Sequence, residues 1–111
     1  MKYNIGTDII NIHKLNKTIK SNPHFIKTVF TSKEIEYALK HKNPINFYAT
    51  RFAAKEAILK ATNIKYEFNE IEILNNSDGK PIANIINHKN IKIDISLSYD
   101  EEYAIAFCII S

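Results

Sequence analysis

RFAAKEAILKA, residues 51–61, reads as a strong helix, yet it sets Arg51, Lys55, Glu56 and Lys60 among alanines and large apolar residues. At 3.6 residues per turn, Phe52, Glu56 and Lys60 share one face, and Arg51 and Lys55 form the adjacent row. Two readings fit that pattern. One is an exposed Glu56–Lys60 pair worth roughly 0.3–0.5 kcal/mol. The other is a charged site, because Ala53, Ala54, Ala57 and Ala61 leave little bulk and let a large group approach the backbone.

The elements to either side follow from local signals. Asn43-Pro44 breaks the chain before the helix and starts it afresh, with proline tolerated in the first turn. Asn63, a residue that tolerates the left-handed cap, is expected to close it. Upstream, Thr31-Ser32-Lys33-Glu34 is a capping box and predicts a helix over EIEYALKH. HKLNKTIKSN is helical in pattern, with Leu15 and Ile19 on one side and Lys14, Lys17 and Lys20 largely on the others. The opening KYNIGTDII predicts a buried first strand.

Downstream the period changes to two. NEIEILNN, PIANIIN and KIDISLS are expected strands, the last with Ile91, Ile93, Ile95 and Leu97 on one face. Ser77-Asp78-Gly79-Lys80-Pro81 is a turn of the Asp-Gly type, and Asp100-Glu101-Glu102 leads into YAIAFCII. That final strand is apolar on both faces, which places it centrally or at a subunit interface. A strand, then helices, then an antiparallel β meander predicts an α+β fold in one domain over 1–111.

The totals narrow the function. A hydrophobic fraction of 45% over 111 residues supports a core and argues against disorder. A net charge of +3 suits an acidic partner or a phosphorylated ligand, and the lysines are too scattered for a nucleic-acid-binding face. The single Cys108 excludes an internal disulfide and any multi-cysteine metal site. No stretch is long enough to span a bilayer and the start has no signal-peptide pattern, so a cytoplasmic protein is expected, with no membrane partner. His13, His24, His41 and His88 lack ligand spacing and are expected at the surface.

Asp8 stands apart, an acid in the first strand bordered by Gly6, Ile9 and Ile10. Such a carboxylate is costly to bury unless it is paired or holds a metal. Two carboxylates from different elements, with Lys and Arg nearby, suit Mg²⁺ and a substrate phosphate. Spacing alone does not bring Asp8 and Glu56 together.

GTDIINI at 6–12, RFAAKEAILKA at 51–61, GKP at 79–81 and SLSYDEEYAIA at 96–106 occur in that order. Together they resemble the holo-[acyl-carrier-protein] synthase family, the small 4′-phosphopantetheinyl transferases, over essentially the whole chain. The resemblance implies transfer of 4′-phosphopantetheine from coenzyme A to a serine of apo-acyl carrier protein, in fatty acid biosynthesis. It implies that Asp8 and Glu56 hold Mg²⁺ and that Lys60 lies near the phosphates or the reacting hydroxyl. Arg51 and Lys55 are implied as phosphate or structural contacts, and Gly79, Lys80, Pro81, Ser98 and Tyr99 as coenzyme A contacts. Lys14, Lys17 and Lys20 would form a basic docking face for the acidic carrier protein, against the plain reading of a solvated helix face. A homotrimer with active sites between subunits is implied as well.

Three residues depart from the family pattern. Tyr99 stands where a histidine is usual, which predicts weaker coenzyme A binding because a phenol carries no positive charge. Asn11 replaces a common acid, and Asn63 a common glycine. The rival reading is a carrier-protein-binding module of the same fold, weakened in catalysis by Tyr99 and Asn11.

Overall fold

The computed structural model describes residues 2–63 and 65–111. The chain runs β1 (Asn4–Asn11), α1 (Ile12–Ser21), α2 (Phe25–Val29), α3 (Ser32–Ala38) and α4 (Ile45–Ala61). It continues through a 3₁₀ turn (Phe68–Glu70) to β2 (Ile71–Asn75), β3 (Pro81–Ile85), β4 (Ile93–Tyr99) and β5 (Tyr103–Ile110). The fold is α+β, with the strands after α4 forming two antiparallel hairpins. β5 lies between β1 and β4 in a three-stranded sheet, and β2 pairs with β3 in a second sheet.

Alanine and glycine decide where α4 sits. Ala53, Ala54, Ala57 and Ala61 pack with Ala106 and Cys108 of β5 in one core cluster, all nearly or wholly buried. Small residues on both sides let helix and sheet approach closely. Gly6 of β1 marks the limit, since a Cβ there would lie 1.9 Å from the carbonyl oxygen of Ala57. Side chains alternate along a strand, so Asp8 faces α4 like Gly6, while Ile5, Thr7 and Ile9 face outward. Only one side of β1 is therefore covered, and the expected buried first strand is a half-buried edge strand.

β5 is central, as its double apolarity suggested. Ala104, Ala106, Cys108 and Ile110 enter the core, and Tyr103, Ile105 and Phe107 stand exposed on the opposite face. The capping box forms as expected, with the Glu34 amide donating to Thr31 Oγ1 and the Thr31 amide to Glu34 Oε1. The Asp-Gly turn is closed by Gly79 at φ 84°, a left-handed geometry that glycine adopts without a Cβ penalty. α4 ends differently from the expectation. Thr62 is its extended C-cap, and among the described residues Asn87 alone has a positive φ outside glycine, so Asn63 makes no left-handed cap.

Candidate active site

β1 and α4 bring Asp8 and Lys60 together across 52 residues of sequence. Lys60 Nζ donates to Asp8 Oδ1 at 2.9 Å and to the Thr7 carbonyl at 3.1 Å. Asp8 is 14% exposed, and its second oxygen, Oδ2, is buried with no hydrogen-bond partner among the described residues. An unsatisfied buried carboxylate oxygen is expensive, and a cation is one kind of partner that would satisfy it. Glu56, one turn before Lys60, lies close enough for the carboxylates to interact. Burial pushes its carboxyl above the usual range, Asp8 pushes it further, and Lys60 partly offsets both. Two carboxylates and no third His, Cys, Asp or Glu make an oxygen-only donor set among the described residues. That set suits a hard cation retaining waters and phosphate oxygens.

Lys55 goes elsewhere. Its ammonium is fully buried and donates to Glu34 Oε1 at 2.6 Å and to the carbonyls of Val29, Phe68 and Ile71 at 2.7–3.0 Å. Each of its N–H groups is taken, so the expectation that Lys55 meets a phosphate is corrected. It is a core strut, placed five residues before Lys60 on another side of the helix. Glu34 completes the strut, its Oε2 accepting from the Ile73 amide at 2.8 Å. The capping box had marked Glu34 as a local residue only, and no sequence signal paired it with Lys55.

A second locus lies along the opposite stretch of α4. A cavity of about 360 Å³ is lined by Tyr37, Arg51, Asn75, Gly79, Pro81 and Tyr99, among others. Arg51 Nη2 donates to Asn75 Oδ1 at 2.6 Å, Nη1 to Thr50 Oγ1 at 3.0 Å, and its guanidinium lies 4.2 Å from the Phe47 ring centroid. Four expected residues thus share one cavity. Lys80 is exposed in the turn between Gly79 and Pro81. Ser98 is separated from Tyr99 by strand alternation and does not line the cavity.

Lys14, Lys17 and Lys20 are all exposed along α1, while Ile12 and Leu15 are buried beneath them. Asn11 caps that helix, accepting from the Lys14 amide at 3.0 Å, a bond that an aspartate would make as well. All four histidines are exposed.

A sequence profile described as the 4′-phosphopantetheinyl transferase superfamily matches residues 4–108. The chain belongs to the holo-[acyl-carrier-protein] synthase family of these transferases. It is 43% identical to the holo-[acyl-carrier-protein] synthase of Clostridium botulinum, covering 96% of this chain and 94% of that one. The solved holo-(acyl-carrier-protein) synthase of Bacillus anthracis, in complex with CoA (3′,5′-ADP), superposes with a TM-score of 0.85. That match has 32% identity and covers 96% and 94% of the two chains. The Helicobacter pylori enzyme in complex with coenzyme A gives a TM-score of 0.82 at 28% identity, covering 96% and 99%. The chain is accordingly a phosphopantetheinyl transferase. Among its described residues, no helix is long and apolar enough to cross a membrane.

Proposed function

We propose that this transferase moves 4′-phosphopantetheine from coenzyme A to a serine hydroxyl of apo-acyl carrier protein, as a Mg²⁺-dependent step of fatty acid biosynthesis in the cytoplasm. The observation that supports the metal dependence is Asp8, with one oxygen held by Lys60 and the other buried beside Glu56 with no partner among the described residues. Asp8 and Glu56 would hold the ion together with pyrophosphate oxygens. When bound, Mg²⁺ would neutralise charge on the pyrophosphate and align it for displacement.

The chain's own groups do the rest. Lys60 Nζ is held by Asp8 and the Thr7 carbonyl on one side and is open on the other, at 57% exposure. It can donate to a phosphate oxygen as negative charge shifts towards the leaving group. The carrier serine oxygen forms a bond to the β-phosphorus of coenzyme A as its O–H bond breaks and the proton is released to water. The bond to the bridging oxygen breaks, and adenosine 3′,5′-bisphosphate leaves. Coenzyme A carries its remaining phosphate well away from that pyrophosphate, and Arg51 in the separate cavity offers a cation for it. Gly79, Lys80, Pro81 and Tyr99 would flank the nucleotide there, while Ser98, on the opposite face of β4, would stay outside that cavity. Tyr99 supplies a hydroxyl and no charge, so Arg51 carries more of the phosphate recognition.

Residues 1–111 would act as one domain. The exposed lysines of α1 suit an acidic carrier protein, with loose, salt-sensitive contacts because lysine lacks a bidentate fork. The uncovered face of β1 and β5, with Ile5, Ile9, Ile105 and Phe107 at 41–67% exposure, supports assembly as a homotrimer.

The test is intact-mass spectrometry of apo-acyl carrier protein after incubation with this chain, coenzyme A and Mg²⁺. A gain of one phosphopantetheine is expected, lost with EDTA and with Glu56→Ala. Carrier protein bound without any gain in mass would instead favour the docking-module reading and direct attention to Tyr99.

A further inference from the structure

Arg51 is unusual in how it is held. It is only partly exposed, yet no carboxylate lies within ion-pair distance of it among the described residues, where the ion pairs are Lys55–Glu34 and Lys60–Asp8. Its Nε is buried without a hydrogen-bond partner among the described residues. What holds it is neutral throughout: the Asn75 amide oxygen at 2.6 Å, the Thr50 hydroxyl at 3.0 Å and the Phe47 ring. Glu34 acts on Arg51 only at a distance and is already paired with Lys55. Desolvating a cation with no directly paired counter-charge is costly, which suits an anion from outside the chain.

Asn75 has a defined orientation. Its amide nitrogen donates to the Tyr37 hydroxyl at 3.0 Å, which turns the amide oxygen towards Arg51. The reverse orientation would set donor against donor. Aspartate has nearly the same shape and would accept from both Arg51 and Tyr37. It would also form a charge-assisted pair and cancel the cation. The neutral amide gives the same mechanical hold and leaves the charge available.

The geometry points to Asn75 as a positioning residue that holds Arg51 as an uncompensated cation facing the cavity, to receive a phosphate monoester of the nucleotide substrate. Tyr37 acts one step further out by orienting the Asn75 amide. This rests on the reading above in which Arg51 meets coenzyme A, and it assigns new roles to two residues on α3 and β2.

The experiment is calorimetric titration of the full chain with adenosine 3′,5′-bisphosphate and, separately, adenosine 5′-phosphate. The unaltered chain is expected to bind the bisphosphate more tightly. Asn75→Asp should weaken the bisphosphate by about tenfold or more and leave the monophosphate within about twofold. Its Tm should stay unchanged or rise, since every hydrogen bond has a replacement. Asn75→Ala, which loosens Arg51 but keeps its charge, should weaken the bisphosphate less than Asn75→Asp does. In the transfer assay, Asn75→Asp should raise KM for coenzyme A at unchanged kcat, with KM for dephospho-coenzyme A unmoved.

Equal affinity of Asn75→Asp and the unaltered chain for the bisphosphate would overturn the inference. So would an equal loss for both nucleotides, or a larger loss in Asn75→Ala. Should Asn75→Asp not fold, Tyr37→Phe decides the matter: a selective loss for the bisphosphate supports the role and no loss overturns it. Binding is read independently of transfer. A chain that shows this selectivity and transfers nothing would refute the transferase reaction and leave the Asn75 role standing.

Discussion

Helix α4 carries two lysines five residues apart, each joined to a carboxylate, and the two pairs serve opposite ends. Lys55 and Glu34 are both wholly buried, and each of the lysine's N–H groups meets a protein oxygen. Lys60 and Asp8 sit at an open edge, with the lysine 57% exposed and one aspartate oxygen lacking a hydrogen-bond partner among the described residues. The complete pair ties α4 to α2, α3, the 3₁₀ turn and β2. The incomplete pair is poised for something outside the chain. A charged residue's role is set by how fully its partners satisfy it, and pairing by itself does not decide.

The sharpest way to break that contrast is to remove each lysine. Lys55→Met strands the Glu34 carboxylate in the core and should cost about 3–5 kcal/mol, read from urea denaturation. Adding Glu34→Gln should recover part of the loss. A cost below about 1 kcal/mol would show that Lys55 is no strut.

Glu56→Gln tests the open pair from its metal side. Transfer should fall at least about a hundredfold, while the fold remains intact. Stability should move the other way. The folded chain holds the Glu56 proton more tightly than the unfolded chain, so ionised Glu56 weakens the fold as pH rises through the folded-state pKa. Without metal, Glu56→Gln should therefore raise Tm more at neutral than at acidic pH, by roughly 1–3 °C. A fall in Tm would contradict the assignment of Glu56 to the unsatisfied site.

Gly6→Ala probes the spacing between the two elements of that site. The new methyl meets the Ala57 carbonyl, so β1 must move away from α4 at a cost of about 1–3 kcal/mol. More Mg²⁺ should then be needed for half-maximal transfer. An unchanged Mg²⁺ requirement would mean that the Asp8–Glu56 separation tolerates the shift.

The smallest expected effect on stability is that of Lys60→Ala, below about 1 kcal/mol, because the pair is partly solvated. Transfer should still fall by about tenfold or more. Loss of stability without loss of activity would make Lys60 another strut and erase the contrast.

Much of this was legible in advance, for identifiable reasons. The capping box at Thr31–Glu34, the Asp-Gly turn and the alternating strands are local patterns, and each formed where its residues predicted. The short helix α2 gave little signal because five residues barely exceed one turn. For Lys55 the family resemblance implies a phosphate or a structural contact, and only the fold selects the structural one, because helical spacing says nothing of what covers a face. The resemblance implies Ser98 and Tyr99 together as coenzyme A contacts, whereas the strand turns these neighbours to opposite faces and only Tyr99 lines the cavity. Asn75 carried no signal, since an asparagine at the end of a strand reads as the start of a turn.

Chain-local geometry and chemistry were enough to set the strands, the helices other than α2, the alanine side of α4 and the residue types available to a phosphate site. Packing across the fold settled which lysine is satisfied and which is open, and that no carboxylate among the described residues pairs directly with Arg51. Those properties depend on partners up to 52 residues away, such as Asp8 for Lys60, and on how completely water is excluded around each pair.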